Sequence, residues 1–490
     1  MLLRLIVFGA SCLLFIAACK HKYPVPRKNP VSIDTTTYGG FPDEVGKIVR
    51  SKCVDGCHDA VAHLSDLRLD TWDNLFYGGA HGASVVPYST AYSLLLHYIN
   101  TNPANGPVAT PGMPYELPPL SDEEYNTIKE WIAKGAPDRN GRIAFADNPD
   151  SRQKIYVTQQ CDQLAVIDAE RMVVMRYIPI GKTPGVAENP HCVRVSEDGR
   201  FAFVSFRSGT FLQKIDTRID SVVDEVDLGD VNWEILLPSP DGDSVMVSNM
   251  SGGYTSIVDV VAKSRIKIPQ GGDPHGLAAL LGFDKFFIAI QTGNKVKKIS
   301  LRNPTVNKEY TLDGRPPSAV PSYDSHEIIL SPDNDKVFIT CQGVDSLAVA
   351  DTSMNILKKI KLGNYPQEMA ISKKHNYLFV SCMNDPSPKA TAQVEYKGSV
   401  YVFNYRTFEQ VAKIEWAFMD VHGISVDDRN DKLYVFSRNI GLKGPAPHHI
   451  YGCGDKNGFF HVYDMANFTE PLQGKRELLT NPYSTDVRFK

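Results

Sequence analysis

One six-residue stretch of this 490-residue chain, Cys53-Val54-Asp55-Gly56-Cys57-His58, places two thiols and an imidazole where a short helical turn would present them together. Thiols that add to vinyl groups, with a His that ligates iron from the adjoining position, are what c-type haem attachment requires. The usual spacing leaves two residues between the cysteines; here there are three. In an exported protein such a pair also suits a local disulfide or half of a metal site, so the motif alone admits three chemistries. Met113, set between Pro111 and Pro114, offers a thioether on a stiff backbone, and a His/Met pair raises the potential of an electron-transfer haem. His63, His81 and His97 compete with Met113 for the distal position.

A second set of candidates recurs along the chain. From Lys154 onward, apolar runs close on Asp168, Asp216, Asp259, Ser300, Asp351, Asn404 and Asp464, at spacings of 41 to 60 residues. Five residues ahead of a recurrent Ser-like turn position stand His191, Glu234, His275, His326, Gln367, His422 and, near the C-terminus, Thr485. Chance would place only about 0.2 of a His among seven positions in a chain with this composition. Neutral imidazoles converging from several units are good ligands for copper, zinc or iron, and Glu234 would add a carboxylate. Hydrogen bonding between units is the structural alternative. Residues on opposite sides of such a ring are expected to lie beyond the ~4 Å that shared coordination permits.

The elements that must position these residues are legible in outline. Residues 1–19 have the order of a secretory signal: Arg4, an apolar run from Leu5 to Phe15, then Ile16-Ala17-Ala18-Cys19. Residues 20–40, with Pro, Lys and Thr, read as a tether. Residues 41–140 read as helical, and Ser121 with Glu124 predicts a capping box. Tyr125, Ile128, Trp131 and Ile132 would form the apolar face of that helix, with Gly135 and Pro137 ending it. Residues 154–490 show short strands and turns with a period of 40 to 60 residues, the mark of a seven-bladed β-propeller. The fold class expected is mainly β, a propeller preceded by a small α-helical domain. The chain opens on a second strand, Ile155 to Thr158, and closes on a first strand, Asp486 to Phe489, which should complete the first blade. A formal net charge of −4 excludes nucleic-acid binding driven by bulk charge.

Two family resemblances follow. Leu67-Arg68-Leu69-Asp70, Gly78-Gly79, Val85-Val86-Pro87, Ser93-Leu94-Leu95-Leu96, Gly112-Met113-Pro114, Leu120-Ser121-Asp122-Glu123-Glu124 and Trp131-Ile132-Ala133-Lys134-Gly135-Ala136 occur in order. This series resembles the planctomycete-type cytochrome c domain, which implies a covalent haem c on Cys53 and Cys57 with iron held by His58 and Met113. Ile155-Tyr156-Val157-Thr158 and its counterparts resemble the YVTN family of seven-bladed propellers. The small residues before Cys19 resemble a bacterial lipobox, which implies lipidation of Cys19. Nitrous oxide reductase and the selenium-binding proteins resemble this chain in placing His at a propeller channel, and the latter suggest copper.

The function expected is electron transfer by an exported, lipid-anchored haem protein, with the propeller as docking or substrate-binding platform for a redox partner protein or small molecule. The alternatives are an oxidoreductase with a His-lined channel site, carrying an additional metal and feeding electrons to the haem, and a non-redox surface scaffold. Lys20 after Cys19 favours the outer membrane. Cys12 leaves with the signal, and Cys161, Cys192, Cys341, Cys382 and Cys453 remain unassigned. Five is odd, so one thiol is expected to stay unpaired or join another chain. His448-His449, near Cys453, lie in a long insertion read as a solvated loop or a lid over the channel.

Overall fold

The structure, a computed structural model, describes residues 38–146, 150–280, 282–319, 322–440 and 457–490. The lipidation candidate Cys19 and the His448-His449 insertion with Cys453 lie outside the described residues.

Seven four-stranded antiparallel sheets follow one another, each inner strand packing on the inner strand of the next. The sheets close into a seven-bladed propeller. In the first blade, Lys154–Gln159, Gln163–Asp168 and Val173–Pro179 are joined by the C-terminal strand Pro482–Val487, with Ile155 opposite Val487 and Val157 opposite Thr485. That strand begins four residues earlier than the sequence suggests. Each recurrent Asp, Ser or Asn ends the third strand of its blade. The carboxylates or amides of Asp168, Asp216, Asp259, Asp351, Asn404 and Asp464 accept a backbone amide two or three residues on, which turns the chain into the outer strand.

The N-terminal module is built from short helices: α1 (Asp43–Val49), α2 (Trp72–Leu75), α3 (Leu94–Ile99) and α4 (Asp122–Ala133). The capping box at Ser121 and Glu124 forms, and Tyr125, Ile128, Trp131 and Ile132 are the buried face of α4. Trp131 packs on Phe41, 5.9 Å between ring centres, so this face serves helix packing.

Module and propeller share one continuous apolar core, running from Phe41 through Trp72 and Ile132 to Val173, Phe460 and Leu478. The contact involves the outer strands of the first and last blades, Val173–Pro179 and Arg476–Thr480. Tyr92 meets Tyr177 at 4.9 Å, Arg171 reaches Asp73 at 3.5 Å, and His81 lies 3.4 Å from Glu477. The module therefore straddles the seam where the ring closes.

Candidate functional site

The thiol motif begins where α1 widens into a π-helical turn, Arg50–Val54. The His58 amide donates to both Val54 O (3.0 Å) and Cys53 O (3.3 Å), the second spanning five residues. This wider turn takes up the third residue between the cysteines, and π-type turns of this kind recur at functional sites. Asp59 then accepts the amides of Gly56, Val61 and Ala62, fixing the loop that follows.

His58 is nearly buried, and its Nδ1 lies 3.2 Å from Leu67 O. A carbonyl only accepts, so Nδ1 carries the proton and Nε2 carries the lone pair. Burial lowers the His58 pKa and keeps the ring neutral. The Leu69 amide donates to His58 O at 2.8 Å, so the Leu67-Arg68-Leu69-Asp70 stretch orients both ring and backbone. Burial, reinforced by the neighbouring thiol, pushes Cys53 up to about 12, and burial also raises Cys57. Both sulfurs are free thiols, with no disulfide between them.

Met113 donates its amide to Tyr98 O (2.7 Å) and packs with Cys53 on the core of the module. His63 is exposed. His81 and His97 line a small cavity against the propeller with Tyr92, Tyr177, Glu477 and Leu478. Val61, Val108, Tyr115 and Leu117 stand exposed on the segments that carry the motif and the methionine. Two neutral thiols, a neutral imidazole with Nδ1 fixed on backbone, a thioether and surplus exposed apolar surface fit a covalent haem c.

In the channel, every inner strand carries a β-bulge at the candidate position: between Pro190 and Val193, Trp233 and Leu236, Pro274 and Leu277, Ser325 and Ile328, Pro366 and Met369, Val421 and Ile424, and Pro482 and Thr485. Bulges re-aim side chains. The ring is therefore His191, Glu234, His275, His326, Gln367, His422 and Tyr483. Tyr483 takes the place expected for Thr485, because the last strand starts at Pro482, as the other inner strands start one residue before their ring member. Tyr483 lies 3.9 Å from His422 and 4.7 Å from His191 between ring centres.

The bulges are held by hydroxyls on the second strands. Ser205, Ser248, Thr340 and Ser381 donate to the carbonyls of Glu234, His275, Gln367 and His422 in the next blade, at 2.5 to 2.9 Å. Thr340 and Ser381 also accept the amides of Glu327 and Glu368 in their own blades. The Thr or Ser of the YVTN-like stretches was the sequence signal for this contact. Gly276 and Gly423 let neighbouring strands approach, since a Cβ there would lie 2.6 Å from His326 O and 2.7 Å from Tyr483 O. That approach brings His275 Nδ1 within 2.9 Å of His326 O and His422 Nδ1 within 3.0 Å of Tyr483 O.

Ring members from successive blades stand close together. His191 Nε2 and Arg207 Nη1 each lie 2.8 Å from Glu234, and His275 Nε2 lies 3.9 Å from it. His275 and His326 are 4.2 Å apart between ring centres, and His326 and His422 6.1 Å. Burial opposes ionisation of Glu234, yet His191, Arg207 and His275 pull its carboxyl down to about 2. Burial drives His275 down to about 4. The adjoining positions form a second buried layer that was missed in the sequence, with Arg194 3.8 Å from Glu327 and Glu368 close by.

Residues 53–106 match the family model of planctomycete cytochrome C. The module contains a cytochrome c domain. A second model, fatty acid cis/trans isomerase, matches residues 97–179, from α3 of the cytochrome c domain to the outer strand of the first blade. No curated protein matches the chain. Among solved structures, hydrazine synthase of Kuenenia stuttgartiensis is 18% identical, with 58% of this chain and 80% of that one covered and a TM-score of 0.46. Virginiamycin B lyase of Staphylococcus aureus is 13% identical over 58% and 87% of the two chains, with a TM-score of 0.45. A functionally unknown protein of Desulfotomaculum acetoxidans DSM 771 is 14% identical over 68% and 100%, with a TM-score of 0.48. The propeller assignment rests on the strand pairing described above. Of the unassigned cysteines, Cys161 is disulfide-bonded, and Cys192, Cys341 and Cys382 are free and buried.

Proposed function

We propose that this protein is an exported electron carrier, anchored by lipid on Cys19 to the outer membrane, in which the cytochrome c domain exchanges electrons and the propeller presents a docking surface for a redox partner protein or a small-molecule substrate. The observation that carries the reading is the His58 ring, neutral and fixed through Nδ1 by Leu67 O, beside two free thiols in a stretch matching the planctomycete cytochrome C model. Cys53 and Cys57 would hold haem c through thioethers, His58 and Met113 would hold its iron, and the group would supply one-electron chemistry. The chain's own contribution is orientation. Leu67 fixes the proximal imidazole, Asp59 fixes the loop after it, and the neutral thiols leave no charge to bury. A pyridine haemochrome spectrum of the envelope-matured protein is expected to show one covalent haem per chain, lost in Cys53→Ala/Cys57→Ala. Protein with both cysteines intact and no covalent haem would sink the reading.

A second reading is an oxidoreductase whose substrate is handled in the channel and whose electrons leave through the cytochrome c domain. The convergence of His191, Glu234 and His275 favours it.

A further inference from the structure

We propose that His191, Glu234 and His275 form a two-imidazole, one-carboxylate site for a divalent transition-metal cation of the zinc or ferrous class. The site deepens the second reading, on which its functional meaning rests, but its existence is independent of the haem.

Three observations carry it. One donor atom from each residue lies within 4.8 Å of the others, and all three residues are buried. They come from three successive blades, each delivered by the bulge in its own inner strand. The third observation concerns lone pairs. His275 donates through Nδ1 to His326 O, so Nε2 is its acceptor nitrogen, and that nitrogen faces Glu234 Oε2 at 3.9 Å. His191 Nε2 lies 2.8 Å from the same oxygen, so the donor atoms of both imidazoles gather round one carboxylate oxygen. Arg207 lies against Oε1 of Glu234, whereas both imidazoles are nearest Oε2. The Nδ1-to-carbonyl bond is also the outer-shell contact that orients a metal-bound histidine. Two nitrogens and one oxygen select borderline divalent metals over calcium and magnesium, which prefer all-oxygen sets.

The test uses the full, envelope-matured protein, stripped with EDTA and dialysed against Zn(II) or Co(II) chloride. Elemental analysis is expected to find about one zinc or cobalt per chain beyond the haem iron, with calcium and magnesium not retained. The cobalt-edge absorption spectrum of the wild type should show a nitrogen/oxygen shell with two imidazoles and no sulfur, a readout that needs no variant to fold. Glu234→Gln and His275→Gln, checked by circular dichroism, should each weaken retention at least about 10-fold, while Glu368→Gln in the adjoining layer retains the metal. Retention of zinc by a haem-free Cys53→Ala/Cys57→Ala protein would support the site even where the electron-transfer reading fails. Failure of the wild type to retain either metal, a sulfur-containing shell, or equal retention by both channel variants would overturn the proposal.

Discussion

In the cytochrome c domain the ring of His58 is oriented by Leu67, nine residues away; in the propeller the ring of His275 is oriented by His326, 51 residues away in the next blade. The device is the same, an Nδ1 proton on a backbone carbonyl, but the frames differ. The first is irregular chain, held by individual turns such as the one in which Asp59 accepts three amides. The second is repetition, with the same bulge in seven strands and a hydroxyl contact repeated between blades. An irregular frame absorbs a change locally, as the π-helical turn absorbs the extra residue between Cys53 and Cys57. A closed ring has no such freedom, because a shift in one blade moves its contacts with two others. The two frames also stand apart. The cytochrome c domain contacts outer strands, three strand spacings or roughly 14 Å from the inner strands that carry the ring.

If closure makes the propeller the less forgiving frame, breaking a buried contact between blades should give the largest loss of stability. Lys154 in the first blade donates to Asp220 and to Thr217 O in the second, both at 2.8 Å, and both charged side chains are about 1% exposed. Lys154→Met strands a buried carboxylate, a change that costs about 3 to 5 kcal/mol. Tyr156 and Arg176 still reach Asp220, which puts the expectation near about 3 kcal/mol. Denaturant unfolding of the full, envelope-matured protein measures it, and a loss below about 1 kcal/mol would refute the idea that this contact between blades is rigid.

The next effect separates two layers inside the channel. Burial raises Glu368, with Arg194 opposing and Glu327 and Asp486 reinforcing, whereas Glu234 is pulled down to about 2. For Glu368 the folded value lies above the ordinary 4.5, so its contribution is complete below that pH and is lost as pH rises through neutrality. For Glu234 the contribution is present above 4.5 and is lost as pH falls towards about 2. Glu368→Gln should therefore leave thermal stability near unchanged at pH 5 and raise Tm by about 2 to 4 °C at pH 8. An equal shift at both values would show that the layer does not titrate as described.

How much of this was legible in the sequence follows the same division. Repetition made the propeller readable: the Asp and Asn that end third strands are turn formers, and their recurrence carries the number of blades in the sequence itself. Six ring positions were visible for the same reason. Tyr483 was not, because the first blade is assembled from segments far apart in the sequence, and the register of Pro482–Val487 is set by its pairing with Lys154–Gln159. The inward packing was also hidden, since a bulge is a backbone event with no residue type of its own. In the cytochrome c domain the motif and the capping box were plain, but the role of Leu67 was not, because a backbone carbonyl carries no side-chain signature. Nothing in the sequence told where that domain docks; the contact depends on surfaces that meet only after both parts have folded.

Two single-hydroxyl deletions sharpen the comparison at its smallest scale. Ser205 is fully buried and donates to Glu234 O at 2.5 Å while Cys192 donates its amide to the same hydroxyl, so Ser205→Ala leaves two buried backbone groups without that partner. The expected cost is about 1.5 kcal/mol, in the range for an unmet buried group. Ser121 caps α4 at the surface by accepting the Glu124 amide, and the Glu124 side chain returns to the Ser121 amide. Ser121→Ala leaves only the Glu124 amide without its partner, at the surface where water replaces the lost bond in part, so the cost should stay below about 1 kcal/mol. Measured side by side by urea unfolding, the ratio of the two values reports how far repetition rather than local capping carries the fold. If Ser121→Ala proved the costlier change, the cytochrome c domain would be the rigid frame and the ring the adaptable one, and the tight convergence of His191, Glu234 and His275 would then need support from within the channel rather than from the blades around it.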